Sequence, residues 1–411
     1  MTAEGQRRIA VIGGGAAGMM AAGTASSLGA DVTLYEHTDR LGKKLAITGK
    51  GRCNVTNACT TEEFLANVPH NPRFLYAALS AFSPEDTVRF FEGLGVGLKT
   101  ERGNRVFPES DRARDIVHAM TEYVGGVRKR YENVRSVRHE ENGTYTVLAK
   151  EEETYDAVIL ATGGRSYPLT GSDGSGYRIA RKLGHTVTPL FPSLVPLESS
   201  DPVCSELQGL SLKNVGIRIT EDGRSVYEDF GEMLFTHFGV SGPTVLSASA
   251  HLAGRDISTL TFHIDLKPAL DEATLDARLL SDFSERSNRD FSHALDALLP
   301  AKLKEPFIAR TGIDPKKKVN AVTREERHRV LTLLKNFSFG LSGFRPIEEA
   351  IITSGGVDVR EIVPRTMESK LHAGLYFAGE ILDVDAYTGG FILQIAFSTG
   401  YLAGTDAANS Y

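Results

Sequence analysis

The chain has 411 residues, of which 41% are hydrophobic and 24% charged, with a formal net charge of −6. That length exceeds what one hydrophobic core serves, so two or more domains are expected, with room to bury a large cofactor. An acidic balance without a long run of one sign argues against nucleic acid or a membrane surface as partner, and no apolar stretch is long enough to span a bilayer.

The polar start, Met1 to Arg8, lacks the pattern of a secretion signal, and three cysteines cannot build a disulfide framework. Both point to the cytoplasm. From Arg8 to Ile12 the chain reads as a strand, followed by a turn at Gly13-Gly14-Gly15, a helix from Ala16 to about Leu28 and a second strand from Asp31 to Glu36. Short β-rich pieces run from Val127 to Ala161 with a turn at Asn142-Gly143, ending in an apolar strand before Thr162. Around Pro189, Pro192 and Pro196 the β/α rhythm stops. It resumes at Gly374 to Gly379, where an apolar strand precedes glycines and a final helix. The fold class expected is α/β: a Rossmann-like FAD- or NAD-binding domain (residues 1–190 and 345–411), interrupted by a β-rich domain (191–270) and a helical subdomain (271–344).

Gly13-x-Gly15-x-x-Gly18 lies between the first strand and first helix, where a dinucleotide fingerprint must lie. The first glycine permits the tight turn, the second lets the backbone approach a pyrophosphate, and the third lets helix and strand pack closely. Unpaired N–H groups and the positive helix end then face the phosphates. Glu36, at the end of the next strand, is placed to accept hydrogen bonds from the ribose hydroxyls of an adenosine. This motif alone does not choose between FAD and NAD.

Further stretches decide the matter. Gly42 to Asn57 (GKKLAITGKGRCNVTN), Asn104 to Pro108 (NRVFP), Thr162 to Pro168 with Gly171 to Gly176, Gly231 to Pro243, and Gly374 to Gly390 (GLYFAGEILDVDAYTGG) together resemble the bacterial flavoprotein family of aminoacetone oxidases and bile-acid enone reductases. The similarity covers essentially the whole chain. It implies noncovalent FAD on a glutathione-reductase-like domain interrupted by a β-barrel-like and a helical domain. Carried over by position, Gly13, Gly15, Ala16, Ala17 and Glu36 meet the ADP part, with Gly18 completing the fingerprint. Lys43, Lys44, Gly51, Arg52, Cys53 and Asn54 meet the pyrophosphate and flavin side. Val134 lies near the adenine, Ala161, Thr162 and Gly163 near the pyrophosphate, Gly379 and Glu380 at the ribitol, and Gly389, Gly390 and Phe391 by the flavin ring. Ile392 stands where similar sequences usually have Asn, which puts one polar contact to the ring in doubt.

The residues themselves add to this. The glycines at 389 and 390 precede a helix whose N-terminus would stabilise negative charge on a reduced ring. Lys43, Lys44 and Arg52 are cations in a glycine-rich loop suited to phosphates. Cys53 and Cys59 are spaced one residue too far for the redox pair of flavin disulfide reductases, so Cys53 is read as an apolar packing residue. His237, Tyr167 and Tyr387 are candidate proton donors or acceptors, and no metal site is suggested. With a single Gly-x-Gly-x-x-Gly unit, NAD(P)H is expected to visit the flavin transiently. The activity expected is oxidoreduction of a small organic molecule, either NAD(P)H-linked reduction of a conjugated C=C bond or amine oxidation. A flavin-dependent RNA-modifying protein and a non-catalytic flavin sensor are the alternatives.

Overall fold

A computed structural model describes residues 6–410, so most of the polar start read above lies outside the described residues. The chain divides into two compact units, one running to Ser193 and resuming at Ile347, the other comprising Leu194–Pro346.

In the first unit the apolar runs IAVI, VTLY and AVIL form strands buried on both faces, as a parallel sheet covered by helices requires. Five parallel strands lie in the order Leu375–Phe377, Ala157–Leu160, Arg8–Ile12, Asp31–Tyr35 and Arg128–Arg130. The chain leaves Arg8–Ile12 toward one edge through Asp31–Tyr35 and later returns on its other side with Ala157–Leu160. That reversal opens a crevice at the carboxyl ends of the strands, where such sheets bind ligands. Tyr145–Leu148 is the middle strand of a separate three-stranded meander.

Two helices set the depth of the crevice. Ala16–Ser27 is buried along most of its length and packs on the final helix, Phe391–Asn409. A Cβ at Gly400 would meet Ala17 O, and one at Gly404 would meet Ala21 O. These glycines are four residues apart, hence on one helical face, and let the backbones touch. The final helix begins at Phe391, directly after Gly390, which adopts a left-handed φ of 100° and caps it.

The second unit holds a seven-stranded sheet with only antiparallel pairings and the helices Glu272–Glu285, Ala301–Thr311 and Arg324–Lys335. Strand-rich chain does give way to helical chain near residue 270. Yet Ile217 and Phe262 from the sheet share one core with Leu275 and Leu331 from the helices. After the helices, Phe337–Gly340 returns to pair with Leu260–Asp265. The two stretches thus form a single unit around one core. Among the described residues no helix is long and apolar enough to cross a membrane.

Candidate cofactor and active site

A cavity of about 850 Å³ occupies the crevice, lined entirely by residues of the first unit. Gly13 makes the turn at its floor with φ 110°, and a Cβ there would run into Ala161 O. Gly18 lies beneath, where a Cβ would meet Gly13 O; it packs helix on strand and does not line the cavity. Nothing lies within 4 Å of a Cβ built on Gly15, so its backbone is open to the cavity.

One end is built around Glu36. Its Oε2 accepts from Gly14 N at 2.8 Å and its Oε1 from Thr38 N at 2.7 Å. A carboxylate has roughly four lone-pair sites, so capacity remains for two ribose hydroxyls. Asn133 and Val134 line the cavity beyond the neighbouring strand, and Ala161, Thr162 and Gly163 line it below. Tyr167 lines it too, on a turn that closes at Gly171; a Cβ on Gly171 would lie 3.7 Å from Glu36 Oε1.

The middle is tied by Lys44. Its Nζ donates to Ser166 Oγ and Glu380 Oε2, each at 2.7 Å. Glu380 Oε1 accepts from Ser166 Oγ and Thr353 N, both at 3.0 Å. Lys43 pairs with Asp39 at 2.5 Å.

At the far end Gly389 and Gly390 lead into the final helix, and a Cβ on Gly390 would collide with Thr56 O. Asn57 Nδ2 donates to Gly389 O at 2.9 Å and Gly103 O at 3.0 Å, fastening this end. Arg52 lies over the Phe107 ring, 4.2 Å from its centroid, and pairs with Glu101 and Asp111 at 2.5 Å each. Asn54 and Ile392 line this part of the cavity, whereas Gly51, Cys53 and Phe391 do not. Phe391 packs edge-on against Phe64 at 5.1 Å. Burial pushes the Cys53 thiol up to about 12 and the Cys59 thiol up to about 11, and both are free. Neither is held as the thiolate that exchange chemistry needs.

Of the three candidate proton groups, Tyr167 alone lines the cavity. His237 is exposed in the second unit, on the turn before Gly239–Ser241, and Tyr387 is half-buried outside the lining. Sequence reasoning missed Asp385. It is buried and lines the cavity, its Oδ1 is 3.0 Å from His70 Nδ1, and its Oδ2 has no partner among the described residues. The signal was present in the quoted stretch DVDAYTGG, but nothing in the sequence joins it to His70, 315 residues away.

Among the described residues, three that line the cavity keep buried, unpartnered polar atoms: Asn54 Oδ1, Thr162 Oγ1 and Asp385 Oδ2. Each such atom costs about 1–3 kcal/mol unless a ligand satisfies it. With the open glycine turn and the half-used Glu36 carboxylate, they suit an elongated polar dinucleotide.

The family model described as HI0933-like protein Rossmann domain matches residues 7–406. The chain belongs to that family. It is 31% identical over 414 residues to the 3-dehydro-bile acid delta(4,6)-reductase of Clostridium scindens, covering 98% of this chain and 99% of the relative. It is also 31% identical over 399 residues to the ribosomal RNA dihydrouridine synthase of Escherichia coli, covering 96% of each. The corresponding enzyme of Haemophilus influenzae is 29% identical over 401 residues, covering 95% of this chain and 96% of that one. The chain is an FAD-dependent oxidoreductase, and its cofactor is FAD. The expectation that nucleic acid is excluded as a partner is overturned: two relatives matched over nearly the whole chain are named for action on ribosomal RNA. Net charge failed as a guide because it averages over the chain. Between Arg286 and Arg329 the sequence has eleven Lys and Arg against six Asp and Glu.

Proposed function

We propose that this family member reduces a carbon–carbon double bond conjugated to a carbonyl. The supporting observation is that two relatives of different substrate, matched over 98% and 96% of the chain, are named for the same change at a bond. A bile-acid Δ4,6 enone and the uracil C5=C6 bond are both alkenes polarised by a neighbouring carbonyl. When bound and reduced, FAD supplies hydride, and a visiting NAD(P)H is the source of its electrons.

The chain must then orient the alkene and place a proton on the carbon next to the carbonyl. We assign proton delivery to the His70–Asp385 pair, with His70 holding the proton and Asp385 orienting it. The Asp385 carboxylate holds the His70 pKa above the usual imidazole range, and 45% of the His70 side chain is exposed, so the ring can draw protons from water. Tyr167 is the second candidate donor, on the strength of its place in the lining. Three free cysteines fit a reducing location, and we assign the protein to the cytoplasm.

A second reading of the substrate, a base within RNA, is favoured by the cationic stretch of the second unit. There Val319 N bonds Arg289 O at 3.0 Å, and Lys318 is neutralised by Asp290 at 2.8 Å, which leaves Arg289 and Lys316 as cations on neighbouring segments. Polyanions are bound by such clusters. The test is anaerobic: holoenzyme with NADH or NADPH is offered a steroid 4-en-3-one or a uridine-containing RNA. Bleaching of the flavin band and a product two hydrogens heavier are expected with one of them. No bleaching by either nucleotide would rule out the reductase reading.

A further inference from the structure

Five cationic side chains line the cavity: Lys43, Lys44, Lys50, Arg52 and Arg105. Three are neutralised by carboxylates, Lys43 by Asp39, Lys44 by Glu380, and Arg52 by Glu101 and Asp111. Among the described residues, Lys50 and Arg105 have no carboxylate partner. We propose that Arg105, helped by Lys50, is the subsite that holds an anionic group of the substrate, a carboxylate or a phosphate; this rests on the reductase reading above.

Both side chains are presented by fixed backbone. Arg105 opens the strand Arg105–Pro108, where it pairs directly with Asn57. Asn57 in turn binds Gly103 O and Gly389 O, so the turn before Arg105 is clamped to the start of the final helix. Arg105 Nε donates to Arg102 O at 3.0 Å, which leaves its two terminal nitrogens for a ligand. Lys50 has φ 58° between Gly49 at 57° and Gly51 at 83°. A lysine in the left-handed region costs about 1–2 kcal/mol, and this one is held there at the cavity wall.

Arg105 and the turn that carries Lys50 both border the Phe107 ring, from different segments. The Arg105 guanidinium carbon is 5.8 Å from the Phe107 centroid, and a Cβ on Gly49, next to Lys50, would be 3.5 Å from Phe107 Cε1. Because Arg52 already covers Phe107 and spends its charge on two carboxylates, the net positive field at this end comes from Arg105, Lys50 and the N-terminus of the final helix. Arginine binds carboxylate or phosphate in bidentate fashion and discriminates against neutral analogues. The NRVFP stretch acquires a role here: Phe107 is the platform and Arg105 the anion receptor.

The test uses FAD-loaded protein and arginine modification by phenylglyoxal, followed residue by residue by mass spectrometry, with inorganic phosphate or acetate as probe. Saturable protection of Arg105 is expected from one of them, and which one protects distinguishes a phosphate-bearing from a carboxylate-bearing substrate. Exposed Arg114 is the internal reference and should stay reactive, and Lys50→Gln should weaken the protection. Equal modification of Arg105 with and without both anions would overturn the proposal, as would equal protection of Arg114. Arg105→Gln should retain FAD; loss of FAD would assign this charge to the cofactor and also overturn it. With a reducible substrate in hand, Arg105→Gln should raise KM about tenfold, with Arg105→Lys partly restoring it. Protection is read without turnover, so it survives or fails independently of the reductase reading.

Discussion

Lys44 Nζ and Glu380 Oε2 meet at 2.7 Å although 336 residues separate them in the chain. Ser166 and Thr353 donate to the same carboxylate, so four segments are joined at the waist of the cavity. The pair is mostly withdrawn from water, with side-chain exposures of 23% and 14%. Glu380→Ala would leave Thr353 N without its acceptor and the half-buried Lys44 without its carboxylate, and should destabilise the apoprotein by about 2–4 kcal/mol. Lys44→Met, which leaves the Ser166 and Thr353 bonds intact, should cost about 1–2 kcal/mol. Urea unfolding of the two variants checks the order; equal losses would contradict it.

The contact between the first and final helices depends on having no side chain at Gly404. A valine there would push into Ala21 O, which is backbone and cannot move aside. Gly404→Val should lower stability by about 1–3 kcal/mol or more and, since the same helix carries Gly390 at its start, weaken FAD retention. Thermal unfolding with and without added FAD measures both effects.

His70 supplies a pH-dependent contribution whose sign is fixed. The Asp385 hydrogen bond raises its folded pKa, with Asp385 and Asp383 charges adding to the effect and burial opposing it. The folded state therefore holds the proton more tightly than the unfolded state. The stabilisation is fully present below the unfolded value of about 6.5 and is lost as pH rises through the folded value. The stability difference between wild type and His70→Gln should shrink across that interval, and Asp385→Asn should abolish the trend. Denaturation at a series of pH values tests it; a difference that grows with pH would contradict the pairing.

Much of the nucleotide end was legible because local chemistry dictates it. A strand, a glycine turn that tolerates φ 110° at Gly13, a helix and a terminal Glu36 are contiguous signals, and the structure assembles them as read. The glycines before the final helix were legible for the same reason. What escaped reading depends on distant partners. Nothing in the sequence says that Arg52 is matched by Glu101 and Asp111, that His70 meets Asp385, or that Asn57 joins Gly103 to Gly389. The shared core of the second unit escaped for a related reason, since strand and helix periodicities differ while their buried faces do not announce a common partner.

On the proposed function, electrons leave this protein's flavin for an alkene conjugated to a carbonyl. The most direct measurement is a single anaerobic turnover: chemically reduced holoenzyme is mixed with a steroid 4-en-3-one or a uridine-containing RNA while the visible flavin band is followed. Return of the band, with a stoichiometric saturated product carrying two added hydrogens, is the predicted result. A flavin that stays reduced with both acceptors, yet reoxidises promptly in oxygen, would contradict it.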